Sequence, residues 1–293
     1  MAAFFPGFSP LRIETAGVSF HAWVGGTGAP VLLLHGYPQT HLAWRHIAPC
    51  LAQRYRVVVP DLPGYGASRV LRATPRLSKR HVATALVALM SQLGHERFAV
   101  VGHDRGARAG YRMALDHPQR VAQFASLTVV PTLEVWNAAD WAFGHANFHW
   151  YLLAQPFDLP ERLLAAAPDA FIDTTLARMA GGLDGFEPRV LDAYRQAFRD
   201  PAVRHAMCED YRSAAAEDRE HDLADRAAGN TLACPVLVTW PASHSGESPL
   251  AIWRRWAGDV RGAALSGGHL QPEFSHQGVL AQLLPFLVSG PRR

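Results

Sequence analysis

The sequence predicts an α/β fold with a mostly parallel central sheet, helices on both faces and an inserted helical cap. Short apolar runs alternate with helix-like segments in residues 1–130 and again in 226–293, which is typical of parallel strands joined by helices. Between these two parts, residues 131–225 carry helical patterns and no run typical of a buried strand. The predicted organisation is therefore a core of 1–130 and 226–293 with a cap of 131–225.

The spacing of the apolar residues predicts the strands and helices of the core. Residues 31–34 form a continuous apolar run, the pattern of a strand buried on both faces. Other runs predict strands at 11–15, 18–24, 57–60, 98–101, 124–130, 235–239 and 263–265. Helical patterns predict helices at about 41–53, 78–93, 105–116 and 279–288.

Composition and charge exclude several classes of protein. The net charge is only +3, and no basic stripe interleaved with aromatic residues indicates nucleic-acid binding. No apolar run reaches the roughly 18 residues that span a bilayer, and the first residues lack the basic region and long apolar core of a signal peptide. Because Cys50, Cys208 and Cys234 are scattered, we expect reduced thiols in a cytoplasmic protein without nucleic-acid or membrane partners.

The segment Gly102-His-Asp-Arg-Gly-Ala-Arg108 lies between a predicted strand and a predicted helix. Glycines on both sides of a nucleophile are typical of a strained strand-to-helix turn, in which no Cβ fits at the flanking positions. The nucleophile position holds Asp104. A carboxylate that attacks an ester gives a labile anhydride, whereas attack on a saturated carbon gives an ester that water can cleave. Asp104 therefore predicts alkyl transfer to its carboxylate, followed by hydrolysis.

Several motifs occur in the order of one superfamily. The chain resembles the α/β-hydrolase superfamily over nearly its whole length, in His35-Gly-Tyr-Pro-Gln-Thr40, Asp61-Leu-Pro-Gly-Tyr-Gly66, the turn at Asp104 and Gly267-Gly268-His269. Haloalkane dehalogenases and epoxide hydrolases usually carry Trp after the nucleophile, where this chain has Arg105. The turn, with the cap stretches 148–156 and 205–212, resembles the haloacetate (fluoroacetate) dehalogenase family. The resemblance implies the α/β-hydrolase fold.

The superfamily orders its catalytic triad as nucleophile, acid and histidine. His269 follows the last predicted strand and is expected to activate water, while the backbone N–H groups of Tyr37 and Arg105 are expected to bind the oxyanion. The position of the family's acid holds Thr128, and Glu247 is the acidic residue of the alternative position. Either Glu247 or another carboxylate replaces the acid, or His269 acts unassisted. In the second case, a burst of about one halide per enzyme precedes slow turnover.

The resemblance also implies the substrate contacts. Arg105 and Arg108, one helical turn apart, are expected to hold a substrate carboxylate. Two guanidiniums suit this task because they form charge-assisted, fork-shaped hydrogen bonds and offset the repulsion between the substrate and the nucleophile. The resemblance implies that the leaving halide is held by His149, Trp150 and Tyr211.

The expected reaction is hydrolysis of a short 2-haloacid, such as fluoroacetate or chloroacetate, to the 2-hydroxyacid and halide, without metal or organic cofactor. The resemblance also allows a homodimer. Two alternatives stay open. An epoxide hydrolase would use Asp104 similarly but needs cap tyrosines, such as Tyr151 and Tyr211, to protonate an alkoxide. A binder of small carboxylates that turns over slowly or not at all is suggested by Thr128.

Overall fold

The fold is built on one sheet, which the computed structural model describes together with its helices over residues 4–71 and 77–289. The strands are β1 (Phe8–Thr15), β2 (Val18–Gly25), β3 (Ala29–Leu34), β4 (Tyr55–Pro60), β5 (Arg69–Val70), β6 (Phe98–His103), β7 (Val121–Leu127), β8 (Val236–Pro241) and β9 (Val260–Leu265). Their order is β1-β2-β4-β3-β6-β7-β8-β9, and β5 pairs with β2. The pairs made by β2 are antiparallel, and all pairs from β4 to β9 are parallel. The predicted mostly parallel sheet is confirmed.

The centre of the sheet is buried as its apolar runs predict. Every residue of β6 is buried, and so are the last four residues of β3. The predicted strand at 124–130 is wrong at its C-terminal end, since β7 stops at Leu127. Thr128 adopts a left-handed conformation with φ 70°, which turns the chain out of the sheet before the apolar residues at 129 and 130.

The helices of the core flank this sheet. They are α1 (Ala48–Leu51), α2 (Lys79–Gln92), α3 (Arg105–Asp116), α12 (Pro249–Arg254), α13 (Gln271–Phe274) and α14 (His276–Val288). The helix predicted at 41–53 is wrong, because the chain there forms a 3-10 helix, His41–Trp44, then a turn and the short α1. Pro49 explains the break, since a proline within a continuous helix lacks the N–H for the carbonyl of Arg45 and would clash with it.

Eight helices lie between β7 and β8, and residues 128–235 contain no strand. They are α4 (Thr132–Ala138), α5 (Trp141–Ala146), α6 (Phe148–Leu153), α7 (Leu159–Ala166), α8 (Pro168–Ala180), α9 (Pro188–Arg199), α10 (Pro201–Ala215) and α11 (Glu217–Ala228). The inserted helical region is therefore as predicted. The division into core and cap stays a proposal, and the predicted boundary at 225 lies inside α11.

The topology brings the predicted catalytic residues to one edge. Parallel strands end at the same edge of a sheet, where α/β proteins place their ligands. Tyr37 follows β3, Asp104 follows β6, Thr128 follows β7 and His269 follows β9. In the part of the chain that the structure describes, no helix has the length and apolar character needed to cross a membrane.

Candidate active site

Asp104 occupies the sharp turn between β6 and α3. Its backbone has φ 48° and ψ −118°, a strained conformation for a residue with a side chain. A Cβ on Gly102 would lie 2.4 Å from Cα of Ala107, and a Cβ on Gly106 would lie 2.3 Å from the carbonyl oxygen of Leu34. Close packing therefore requires glycine at both positions, as the sequence pattern predicts.

The two carboxylate oxygens of Asp104 have different surroundings. Oδ1 accepts the backbone N–H of Tyr37 at 2.9 Å, while Oδ2 lies 3.5 Å from Nε2 of His269. Burial alone would raise the pKa of this carboxyl, but the nearby His269 holds the pKa well below its ordinary value. Of the two backbone donors expected for the oxyanion, Tyr37 contacts Asp104, whereas the described hydrogen bonds include none from the Arg105 N–H. Oδ2 is therefore free of backbone donors and chemically distinct from Oδ1.

His269 lies in the loop after β9, with its side chain 29% exposed. Its carbonyl oxygen accepts a hydrogen bond of 2.9 Å from Nε2 of His103, the residue before Asp104. Burial lowers the pKa of His103 to about 3, so this ring is a neutral donor at physiological pH. His103 is a residue that sequence reasoning misses, and its place next to Asp104 is the available signal.

Neither residue predicted as a candidate triad acid reaches His269. The hydroxyl of Thr128 donates to the carbonyl oxygen of Leu127 at 2.7 Å and so is engaged within its own backbone. Glu247 is half-exposed and its carboxylate pairs with Arg255. Within residues 4–71 and 77–289, the only carboxylate in ion-pair contact with His269 is that of Asp104. Neither predicted position therefore brings an acid to this histidine.

Arg105 is fully buried and is held by Asp210 on α10. Nε donates to Oδ2 of Asp210 at 3.0 Å, and Nη2 donates to its Oδ1 and, at 2.8 Å, to its backbone carbonyl oxygen. The buried Nη1 makes no hydrogen bond with any residue that the structure describes. The guanidinium carbon lies 4.4 Å from the centre of the Tyr211 ring. One nitrogen of Arg105 therefore has no partner among the residues that the structure describes, and Asp210 is a second residue that sequence reasoning misses.

Arg108 is buried one turn further along α3 and lines the same cavity as Asp104. Nη1 donates at 3.1 Å to the carbonyl oxygen of Val130 and to Oγ1 of Thr132, while Nε has no partner in the described residues. Burial, and then the charge of Arg105, lower the pKa of this guanidinium. No described carboxylate forms an ion pair with Arg108. A buried cation without a counter-ion is costly, so the site is suited to an anion that enters the cavity.

The three predicted halide ligands come together from two helices. His149 and Trp150 lie on α6, and their ring centres are 5.6 and 5.8 Å from that of Tyr211 on α10. His149 also stacks on the Tyr37 ring, with 5.6 Å between centres. Burial lowers the pKa of His149 to about 4 and raises that of Tyr211. Both rings are therefore neutral near pH 7, and each carries a hydrogen that it can donate.

A cavity of about 890 Å³ is lined by several of these groups. Its polar end is lined by Asp104, Arg108, Thr128, His149, Trp150 and His269. Apolar side chains line much of the remainder, namely Val135, Phe143, Phe148, Leu163, Phe171 and Met179. Arg105, Tyr211 and Tyr37 do not line the cavity themselves, although they contact Trp150, His149 and Asp104, respectively, which do. The structure thus brings together the predicted nucleophile, base, arginines and halide ligands.

The fold and the site together define a class of protein. A carboxylate at a strained strand-to-helix turn faces a histidine from the loop after the last strand, at the edge of a mostly parallel sheet. Residues 29–260 match the family model described as the alpha/beta hydrolase fold. The chain belongs to the α/β-hydrolase family.

Comparison with individual proteins narrows the relationship. The chain is 41% identical over 272 residues to fluoroacetate dehalogenase from Burkholderia sp, which covers 90% of this chain and 89% of that protein. It is 30% identical over 286 residues to soluble epoxide hydrolase from Corynebacterium sp. (strain C12), covering 93% and 94%. A solved structure from Pseudomonas aeruginosa, a threonine-to-aspartate variant provisionally designated an epoxide hydrolase and bound to MFA, matches with TM-score 0.95 and 55% identity over 97% of each chain. The chain is an α/β-hydrolase related to fluoroacetate dehalogenase and to epoxide hydrolases.

Proposed function

We propose that this chain hydrolyses short 2-haloacids, such as fluoroacetate and chloroacetate, to the 2-hydroxyacid and halide. The observation that carries the proposal is that Arg108, a buried cation without a carboxylate partner in the described residues, lines the same cavity as the nucleophile Asp104. A substrate for both groups needs an electrophilic carbon beside an anionic group, and a 2-haloacid has both. The similarity to Burkholderia fluoroacetate dehalogenase and the small carboxylate, MFA, bound to the Pseudomonas relative support this reading.

In the first step, Oδ2 of Asp104 attacks the carbon that bears the halogen. The new bond is a C–O ester bond, and the carbon–halogen bond breaks with its electron pair leaving on the halide. Arg108 and the free Nη1 of Arg105 hold the substrate carboxylate by charge-assisted hydrogen bonds. Fixed donors stabilise the charge that develops on the halide, and these donors are His149, Trp150 and Tyr211.

In the second step, His269 takes a proton from water, and the oxygen of that water attacks the carbonyl carbon of the Asp104 ester. The oxyanion that forms is Oδ1, which already accepts a hydrogen bond from the Tyr37 N–H at 2.9 Å. This N–H is therefore in position to stabilise the oxyanion. Collapse of this intermediate breaks the bond between the carbonyl carbon and Oδ2, and the leaving oxygen takes the proton from His269 to give the 2-hydroxyacid. The hydroxyl that water supplied loses its proton to solvent, which restores the Asp104 carboxylate and produces one proton with each halide.

The second step is the weak point of the proposed cycle. A triad acid orients the histidine and stabilises its protonated form. Since Thr128 bonds to the Leu127 carbonyl and Glu247 to Arg255, His269 is expected to work without that help. Attack by Asp104 requires no base, so formation of the ester is expected to outrun its hydrolysis.

The epoxide hydrolase alternative has less support from the site. The similarity to the Corynebacterium epoxide hydrolase supports this alternative. The reaction would, however, require side chains that protonate the alkoxide formed when the epoxide opens. Tyr151 is 40% exposed and packs against Trp136 and Phe143, whereas Tyr211 is buried against His149 and Trp150, which line the cavity. This leaves Tyr211 as the candidate donor, and an epoxide without a carboxylate would leave Arg108 unpaired.

The test is incubation with fluoroacetate and chloroacetate, with halide and glycolate as the measured products and Asp104→Asn as the matched control. The parent is expected to release halide, and the variant to release none while still binding glycolate. Halide release by Asp104→Asn at the parent rate would refute the assignment of the nucleophile. Diol formation from an epoxide, without halide release, would favour an epoxide hydrolase, and carboxylate binding without either product would favour a binder.

A further inference from the structure

Asp210 lies at the centre of a buried polar cluster that extends away from the cavity. Its carboxylate accepts hydrogen bonds from Arg105, from the ammonium of Lys79 on α2 and, at 2.8 Å, from the hydroxyl of Tyr65. The side chains of Asp210 and Lys79 are each only 3% exposed. A buried cluster of this kind is costly to assemble, and the reaction outlined above gives no direct role to Asp210 or Lys79.

The contacts fix the orientation of the Arg105 guanidinium. Its Nε and Nη2 edge is fully occupied by the side chain and the backbone carbonyl of Asp210, which leaves Nη1 as its only nitrogen without a partner. A planar guanidinium held along one edge cannot rotate without breaking these bonds. Asp210 also directly precedes Tyr211 on α10, so the same helical turn carries the support of an arginine and a halide donor.

The charges of the cluster explain the presence of Lys79. An ion pair between Arg105 and Asp210 alone would be neutral and would weaken the attraction for a substrate anion. Burial lowers the pKa of Lys79; when protonated, Lys79 adds a second cation to the same carboxylate, and the three side chains together then carry one positive charge. Asp218 accepts the backbone N–H of Lys79 at 2.7 Å, and burial raises the pKa of that carboxyl, which weakens its competing negative charge.

We propose that Asp210 is a positioning residue for substrate binding, which aims Nη1 of Arg105 at the substrate carboxylate while Lys79 balances its charge. This inference rests on the proposed function, because it requires a carboxylate ligand. Removing the acceptor for two nitrogens of Arg105 is expected to weaken carboxylate binding by about 10- to 100-fold, the effect of one charge-assisted hydrogen bond.

The test compares Asp210→Asn with Asp225→Asn by calorimetric binding of glycolate and of neutral glycolamide. Asp225 is a matched control, since it is a buried partner of Arg112, another arginine of α3, and contacts neither Arg105 nor Arg108. Asp210→Asn is expected to lose about 10- to 100-fold in glycolate affinity and to bind glycolamide like the control. Lys79→Met, which leaves the Arg105 contacts in place, is expected to show a smaller loss in the same direction and serves if Asp210→Asn does not fold.

The outcomes separate this inference from the proposed function. Glycolate affinity in Asp210→Asn equal to that in Asp225→Asn, equal losses for glycolate and glycolamide, or no glycolate binding by the parent would each overturn the positioning role. A parent that binds glycolate with the expected pattern but releases no halide would refute the proposed reaction and leave the role of Asp210 standing. An unchanged glycolate affinity in Lys79→Met would overturn the charge-balancing part.

Discussion

Replacing Thr128 with Asp is expected to change the kinetics of halide release from a burst to a linear trace. Thr128 has φ 70°, a left-handed conformation that is unfavourable for a β-branched residue and better tolerated by Asp. The substitution removes the hydrogen bond from the hydroxyl to the Leu127 carbonyl, at a cost of about 1 kcal/mol. Relief of backbone strain offsets this by about 1 kcal/mol, so the variant should fold with nearly unchanged stability.

The size of the effect follows from the role of a triad acid. Changing the acid of a serine protease to its amide lowers kcat by about 10⁴, part of which reflects a wrong histidine tautomer. Restoring an acid beside His269 should therefore speed hydrolysis of the Asp104 ester by about 10² to 10⁴. Formation of the ester should change little, because attack by Asp104 does not use the base.

Stopped-flow measurement of halide, with mass spectrometry of the peptide that contains Asp104, distinguishes the two steps. The parent should release about one halide per active site rapidly and accumulate the ester, whereas Thr128→Asp should release halide linearly without accumulation. Thr128→Asn is the matched control, since Asn shares the backbone preference but carries no charge. A fast linear trace from the parent, or equal acceleration by Asn and Asp, would refute the reasoning.

Three further predictions concern Arg108, His149 and Met179. Arg108→Met should raise KM for chloroacetate by about 10- to 100-fold without lowering Tm, because it removes a buried charge that has no counter-ion; a lower Tm with unchanged KM would contradict this. Burial holds the pKa of His149 at about 4. Below pH 6.5 the unfolded chain therefore binds a proton that the folded chain does not, and the free energy of unfolding decreases as the pH is lowered. His149→Phe should therefore remove about 2 kcal/mol of the stability lost between pH 7 and 5 in urea unfolding, and an unaltered loss would count against it. Finally, Met179→Trp should lower kcat/KM for 2-chlorobutanoate more than for chloroacetate, since Met179 lines the apolar part of the cavity; equal losses would argue that this part holds no substrate.

Local chemistry explains which parts of the fold are predictable from the sequence. The turn at Asp104 is predictable because the need for glycine at 102 and 106 arises from contacts within a few residues or with the adjacent strand. The C-terminal end of β7 is not, because apolar residues continue to 130 while the left-handed conformation of Thr128 ends the strand. The helix predicted at 41–53 is wrong for a related reason, since Pro49 interrupts a stretch with a helical pattern.

The candidate site divides in the same way. Short motifs predict the proposed nucleophile, the histidine and the aromatic donors, and the structure places these residues close together. The contact between Arg105 and Asp210 spans 105 positions in the chain, and no local pattern marks such a pair. The lack of a counter-ion for Arg108 is equally a property of the assembled interior, as is the engagement of Glu247 with Arg255. Sequence patterns do not predict which side chains that lie far apart in the chain form hydrogen bonds or ion pairs.

Because Tyr37 donates a hydrogen bond to Oδ1 of Asp104, the proposed reaction would exchange only the other carboxylate oxygen, Oδ2, with water. If Oδ2 forms the ester, that oxygen leaves with the hydroxyacid, and an oxygen from water replaces it on Asp104. In ¹⁸O-water, the first glycolate from each active site should therefore contain only ordinary oxygen in its new hydroxyl. The label should enter the product from the second turnover onward, while Oδ1, tethered to the Tyr37 amide, stays unlabelled.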